Sequence, residues 1–274
     1  MDAVVLTELE ARALDVRRDI VRMLGIARTG HMASSLSAAD ILVWLYGAVL
    51  SVRPAEPLWE DRDRFVLSKA AASPTLYAVL ADRGFFHRDA LWGYRQLGST
   101  LQAFADSRRT PGVDVSCGAL GVGPGISLGL ALAFKKRTPE PRVFCLIGTR
   151  ELQEGSVWES LIVSVRHKLN NLIFIVDKND GILDDGLEEK FHSFGWAAVS
   201  ADGHDMNSLN GAFESLPSHC PRLLIAKTLR GKGIPSLERG TPAGGAGPRT
   251  TDDLLKELEG LDDVGTEEKP GRSL

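Results

Sequence analysis

The sequence predicts an α/β fold, a parallel β-sheet with helices on both faces, and three stretches carry that prediction. Residues 143–147 (VFCLI) and 172–176 (LIFIV) are short apolar runs that read as buried strands, ended by Gly148 and Asp177. Between them, residues 151–169 place Leu152, Val157, Trp158, Leu161, Ile162 and Val165 at helical spacing. Strand, loop, helix and strand of this length make a βαβ crossover, whose right-handed geometry puts both strands in one parallel sheet. Ligands of such sheets bind at the carboxyl ends of the strands. Those ends carry Gly148, Thr149, Arg150 and Glu151 on one strand and Lys178, Asn179, Asp180 and Gly181 on the other.

The remaining elements follow in chain order. Residues 6–28 predict an amphipathic helix with Leu9, Ala13, Val16, Ile20, Met23, Leu24 and Ala27 on its apolar side, capped by Gly30. A second helix is expected over 41–50, a strand over 64–67 after a charged turn, and a helix near 74–83. Glycines 118, 121, 123 and 125 let the backbone approach a flat ligand or a neighbouring helix, and 126–136 then reads as a buried helix. Residues 191–206 read as a strand and turn, with His204 a turn residue; 207–214 form a helix and 222–228 the last strand. A short helix near 251–260 precedes an acidic tail with a disordered composition. The expected organisation is one domain over 1–238 and a partly disordered tail over 239–274.

A length of 274 residues suits one large α/β domain. The formal charge of −4 gives no case for nucleic-acid binding. Three cysteines, Cys117, Cys145 and Cys220, have no metal-site spacing and fit a reducing cytoplasm. No apolar run approaches the roughly 18 residues of a membrane span, and the amino terminus lacks the basic start of a signal peptide. A soluble, cytoplasmic protein without membrane or nucleic-acid partners is expected.

Several blocks taken together resemble the transketolase family in its split bacterial form, over roughly residues 6–235. Residues 151–155 (ELQEG) with Trp158 and Glu159, and Asp177-Lys178-Asn179, match that form's thiamine diphosphate motif. Gly30-His31 through Asp40 resembles Gly-His-x-Gly-Gly-Ser-Leu-Ser-x-x-Asp, and residues 61–69 (DRDRFVLSK) match a further block. Residues 194–196 (FGW) and 227–234 (KTLRGKGI) are similar to two more.

The resemblance implies the diphosphate-binding domain of a transketolase and thiamine diphosphate as cofactor. Gly118, Leu120, Gly148, Thr149, Arg150, Glu151, Asn179, Gly181 and Leu183 would contact it, and Thr149, Asn179 and Gly181 would stand at the family's magnesium ligands. His31 would face the substrate channel, and Glu154 holds the place of the family's inter-site carboxylate, both in catalytic roles. The family's second, pyrimidine-binding domain has no room in 274 residues. The resemblance therefore implies an α2β2 assembly with a separate C-terminal subunit.

The departures fall at the chemistry. Where the family has Asp-Gly, this chain has Thr149-Arg150; where it has Gly-His, Ala70-Ala71; where it has Gly-His-Pro, Ala103-Phe104-Ala105. Val122 replaces a Gln, Pro124 is added, and no His follows His219. A neutral Thr hydroxyl is a poor magnesium ligand beside a carboxylate. A guanidinium can grip phosphate oxygens bidentately, so Arg150 is a candidate replacement for the ion, with Asn179 donating its amide. The alternative for Arg150 is a surface position or a pairing with Asp180 or Glu151.

Three functions stay open on this reading. The first is the N-terminal subunit of an enzyme moving a two-carbon ketol or related acyl unit on an atypical substrate of a specialised pathway. The second is a non-catalytic subunit that supports a C-terminal partner. The third is a module that binds another anionic ligand.

Overall fold

A computed structural model describes residues 1–179, 186–239 and 250–264, with side chains up to 260. The helices are α1 (Ala3–Ala27), α2 (Met32–Ser37), α3 (Ala39–Trp44), α4 (Ser73–Asp82), α5 (Val122–Phe134), α6 (Gly155–Arg166), α7 (Leu187–Ser193), α8 (Met206–Ser215), α9 (Pro235–Glu238) and α10 (Thr251–Val264). The strands are β1 (Arg64–Leu67), β2 (Val143–Gly148), β3 (Leu172–Lys178), β4 (Ala197–Asp202) and β5 (Arg222–Lys227).

All five strands run parallel, in the order β1-β2-β3-β5-β4. Side chains alternate across the pleat, so each strand feeds two cores. Phe65, Phe144, Leu146, Ile173, Ile175 and Leu224 pack with the helical layer that includes α1, α3 and α4. Val143, Cys145, Ile147, Phe174, Val176 and Ile225 pack on the opposite face with residues of α6 and α7, Phe191 and Trp196. The parallel α/β sheet with helices on both faces is therefore as the sequence predicts.

Three local expectations are corrected. The helix α1 ends at Ala27, and Arg28 (φ 50°), not Gly30, takes the left-handed cap position. Gly30 (φ 128°) serves close approach instead, because a Cβ there would meet Leu24 Cδ2 at 2.5 Å. The helix expected from Glu151 begins only at Gly155. A 3₁₀ turn over Thr149–Gln153 and an extended Glu154 come first. Glu151 is drawn inward to accept main-chain N–H groups, which breaks the helical path. The helix α5 starts earlier than expected, at Val122, and Pro124 falls in its first turn, where a missing N–H costs no helical bond.

Register fixes where the loops leave the sheet. Gly148 pairs with Asp177, and Lys178 with Lys227, so three strands end side by side. The strand β1 stops at Leu67, opposite Leu146, and sends Ser68, Lys69, Ala70 and Ala71 over the same edge.

Candidate cofactor and substrate site

A cavity of about 300 Å³ opens at the carboxyl ends of β1, β2, β3 and β5. Eight of the residues singled out in the sequence line it: His31, Gly118, Leu120, Gly148, Thr149, Arg150, Glu151 and Asn179. Ser34, Lys69, Ala70, Ala71, Phe104 and Arg230 complete the wall. Glu154 is not among them. It is half-buried behind the glycine-rich loop, where a Cβ on Gly121 would lie 2.6 Å from its own Cβ. Gly181 and Leu183 lie outside the described residues.

The floor of the cavity is a closed network of polar groups. Lys69 Nζ donates to the Asp177 carboxylate, to Ser34 O at 2.9 Å and to Ser37 Oγ at 3.0 Å. Asp177 is wholly buried. It also takes hydrogen bonds from Ser37 Oγ at 2.9 Å and from the Thr228 hydroxyl. Asn179 Nδ2 donates to Ser37 Oγ at 3.0 Å. The Lys69 ammonium thus spends its three donors on the floor and neutralises the nearest carboxylate.

Glu151 ties two loops together. Its carboxylate accepts from Gly121 N at 3.1 Å, from Gly148 N at 2.7 Å and from the Ser68 hydroxyl. Burial pushes this carboxyl above its ordinary value, against the opposing pull of those donors and of Lys69. Burial, and then the Glu151 charge, also push up the neighbouring Cys117 thiol.

Among the described residues, the donors present do not make a divalent-ion site. Magnesium takes an octahedron of oxygens, drawn from carboxylates, substrate phosphates and water. Thr149, at the position expected to supply a carboxylate, is buried and donates its hydroxyl to Asp177 O at 3.1 Å. The carboxylates of Asp177 and Glu151 are both engaged by donors of the chain. Among the described residues, no group of three His, Cys, Asp or Glu side chains could hold a metal.

An anionic, partly flat ligand does fit. Arg150 and Arg230 are exposed at the cavity, and neither guanidinium has a hydrogen bond or ion pair among the described residues. The pairing of Arg150 with Glu151 is therefore not found, and Asp180 lies outside the described residues. The opposite wall is apolar, with Leu120 and Phe104 exposed at 55% and 46% and Phe104 lying against Gly118. These features suit thiamine diphosphate, with its anionic diphosphate and flat ring.

Phe104 lines the cavity, as its place at the family's Gly-His-Pro implied, but sequence reasoning did not place Lys69, Ser34 or Arg230 in the site. Each lies in a block quoted above, and Lys69 and Arg230 closely follow strand ends. The strand-end rule would have found those two had it been applied to β1 and β5 as it was to β2 and β3.

Comparison with known proteins agrees with this geometry. The family described as "Transketolase, thiamine diphosphate binding domain" matches residues 10–262. The chain is 35% identical to an apulose-4-phosphate transketolase subunit of Actinobacillus succinogenes, over 84% of this chain and 88% of that protein. It is 32% identical to the 6-deoxy-6-sulfo-D-fructose transketolase subunit SqwG of Clostridium sp. (strain MSTE9), over 82% of this chain and 86% of that one. The crystal structure of a transketolase from Campylobacter jejuni superposes with a TM-score of 0.84 at 31% identity, covering 96% of this chain but 43% of that one. The chain thus spans less than half of that solved enzyme and most of the two separate subunits. With its five-stranded parallel sheet and a cavity at the strand ends, this chain belongs to the transketolase family, as its thiamine diphosphate-binding domain.

Proposed function

We propose that the chain is the N-terminal subunit of a two-component, cytoplasmic transketolase-like enzyme that transfers a two-carbon ketol or related acyl unit on an atypical substrate. The observation that carries this reading is the meeting of His31, Gly118, Leu120, Arg150 and Asn179 in one cavity. Relatives named as transketolase subunits for apulose 4-phosphate and for 6-deoxy-6-sulfo-D-fructose support an unusual sugar substrate. Their lengths, close to that of this chain, support a separate C-terminal, pyrimidine-binding partner, with which an α2β2 assembly is proposed.

Thiamine diphosphate would supply the carbon–carbon bond chemistry. The chain's own part is binding, orientation and charge. Arg150 and Arg230 offer permanent positive charge to the diphosphate and take the place of a magnesium ion. Gly118 and Leu120, both at the cavity, would contact the middle of the cofactor. His31, exposed at the cavity, is the candidate hydrogen-bond or proton donor to a substrate oxygen. Glu154, behind Gly121, is proposed to reach toward a second site across a dimer.

Phe104 favours a substrate without a polar group at its place, because a phenyl ring neither accepts nor donates a proton. The same residue, with Ala70 and Ala71, gives weight to a second reading, an anion-binding module without turnover.

Calorimetric titration of thiamine diphosphate into the chain mixed with its C-terminal partner, first with magnesium and then with a chelator, tests the proposal. Binding that survives the chelator and is lost in Arg150→Ala is expected. Absence of binding in both conditions overturns the cofactor assignment. Unchanged affinity in Arg150→Ala overturns the arginine-for-metal assignment alone. Binding without transfer of a ketol unit from any ketose phosphate tried would leave the second reading in its place.

A further inference from the structure

The segment that carries Arg230 is held at nearly every residue except Arg230 itself. Thr228 N donates to Lys178 O at 2.9 Å, and the Thr228 hydroxyl reaches Asp177. Leu229 N donates to His204 Nε2 at 2.7 Å. Gly231 N donates to Ala33 O at 3.0 Å, and Lys232 N to Leu229 O at 3.2 Å. Arg17 Nε donates to Lys232 O at 3.3 Å. Gly231 (φ 82°) and Gly233 (φ 94°) turn the chain on the far side. Arg230 stands at mid-span, at the wall of the cavity.

Two of those anchors share one origin. Arg17 forms a two-pronged ion pair with Asp40, and both side chains are buried. The Asp40 Oδ2 atom lies 2.7 Å from His204 Nδ1. A backbone N–H can only donate, so the Leu229 bond requires an unprotonated Nε2. The ring proton therefore sits on Nδ1 and points at Asp40, and a single neutral tautomer satisfies both contacts. Protonating Nε2 would set two donors against each other. Arg17 on α1 thus holds the segment directly at Lys232 and, through Asp40 and His204, at Leu229.

We propose that His204 is a positioning residue for the cavity: kept in one tautomer by Asp40, it fixes the main chain at Leu229 and thereby the point from which Arg230 reaches a bound anion. This rests on the reading of Arg230 as an anion ligand. The groups facing His204 are Asp40 on α3, Arg17 behind it on α1, and Asp202 on its own turn, whose Oδ1 accepts from His204 N at 2.8 Å. Lys227 at the end of β5 shares its cleft, an open groove of about 470 Å³ distinct from the cofactor cavity. A role confined to the turn would need neither the Leu229 bond nor the fixed tautomer.

The test is a double-mutant cycle on the full chain, with inorganic pyrophosphate as the calorimetric probe. Arg230→Gln is expected to weaken binding roughly tenfold, the size of one charge-assisted contact. His204→Ala is expected to lose a similar factor, and to lose nothing further when combined with Arg230→Gln. His204→Gln, whose side-chain oxygen can accept from Leu229 N, is expected to restore most of the affinity, and it keeps the test valid should the alanine variant fold poorly. A purely structural histidine would lower the melting temperature alike in both backgrounds, with losses that add. Additive losses, or wild-type affinity in His204→Ala beside a weakened Arg230→Gln, overturn the positioning role and leave Arg230 standing. Wild-type affinity in Arg230→Gln overturns the reading of Arg230 and this inference with it.

Discussion

The Thr149 hydroxyl donates to the main-chain oxygen of Asp177 across 3.1 Å. The side chain that the resemblance sets at the family's metal position thus directs its one proton at the end of the neighbouring strand. Register places Asp177 beside Gly148, so the contact is built into the sheet. A residue that closes a hydrogen bond within the fold is a weak candidate for a metal ligand.

Thr149→Asp would place a carboxylate in a buried position next to Asp177. Without magnesium it is expected to destabilise the chain by about 2–4 kcal/mol, the cost of a poorly compensated buried charge. Magnesium together with thiamine diphosphate should restore the melting temperature and make cofactor binding sensitive to a chelator. Melting curves of the variant that ignore magnesium would show that the loop cannot form the family's ion site.

Lys69→Met leaves the Asp177 carboxylate buried without its cation. A loss of about 3–5 kcal/mol in urea unfolding is expected. Adding Asp177→Asn should recover a substantial part of it, because the uncompensated charge is then gone. If the double variant is as unstable as the single one, packing of the lysine stem is what matters.

Asp40→Asn tests the linkage between charge and stability. Burial alone would raise the Asp40 carboxyl, but the Arg17 charge, the His204 hydrogen bond and the Arg17 hydrogen bond together hold it below its ordinary value. A depressed carboxyl contributes stability that is present above its unfolded value, about 3.9, and is lost as the pH falls through the folded one. The gap between wild type and variant, about 3 kcal/mol at pH 7, should therefore narrow as the pH falls below about 4. Glu151 acts in the opposite sense. Its raised carboxyl gives stability that is present at low pH and lost as the pH rises through the folded value. A pH-independent gap in chemical denaturation would mean that Asp40 is not ionised in the fold.

Gly121→Ala and Gly118→Ala should differ although only two residues lie between them. Gly121 has φ 72°, and a Cβ there would meet Glu154 Cβ at 2.6 Å and Ser156 Oγ at 2.8 Å. A loss of about 2–4 kcal/mol is expected, from backbone strain and overpacking together. At Gly118 the nearest atom is Phe104 Cδ2 at 3.3 Å, and that ring can move aside. Thermal denaturation of both variants checks the contrast, and equal losses would contradict it.

The parallel sheet was legible because buried strands such as 143–147 and 172–176 are continuously apolar and the helix between them is periodic, local properties that any window of the chain displays. The strand-end loops were legible for the same reason, and with them Gly148, Thr149, Arg150, Glu151 and Asn179 of the cavity, since a parallel sheet presents all its carboxyl ends on one edge, whereas His31, Gly118 and Leu120 were legible only through the family resemblance. The break at Glu151 was not legible. Its cause is hydrogen bonds to Gly121 and Gly148, and the first of these lies thirty residues away. The same holds for Lys69 with Asp177, for His204 with Asp40 and Leu229, and for the place of Glu154 behind Gly121. Sequence by itself determined the fold class and the edge at which the cavity opens, because burial and periodicity are written residue by residue. Tertiary structure alone decided which charges neutralise each other within the fold and that Arg150 and Arg230 face the cavity without a partner among the described residues, because a buried ion pair depends on distance in space and not on separation along the chain.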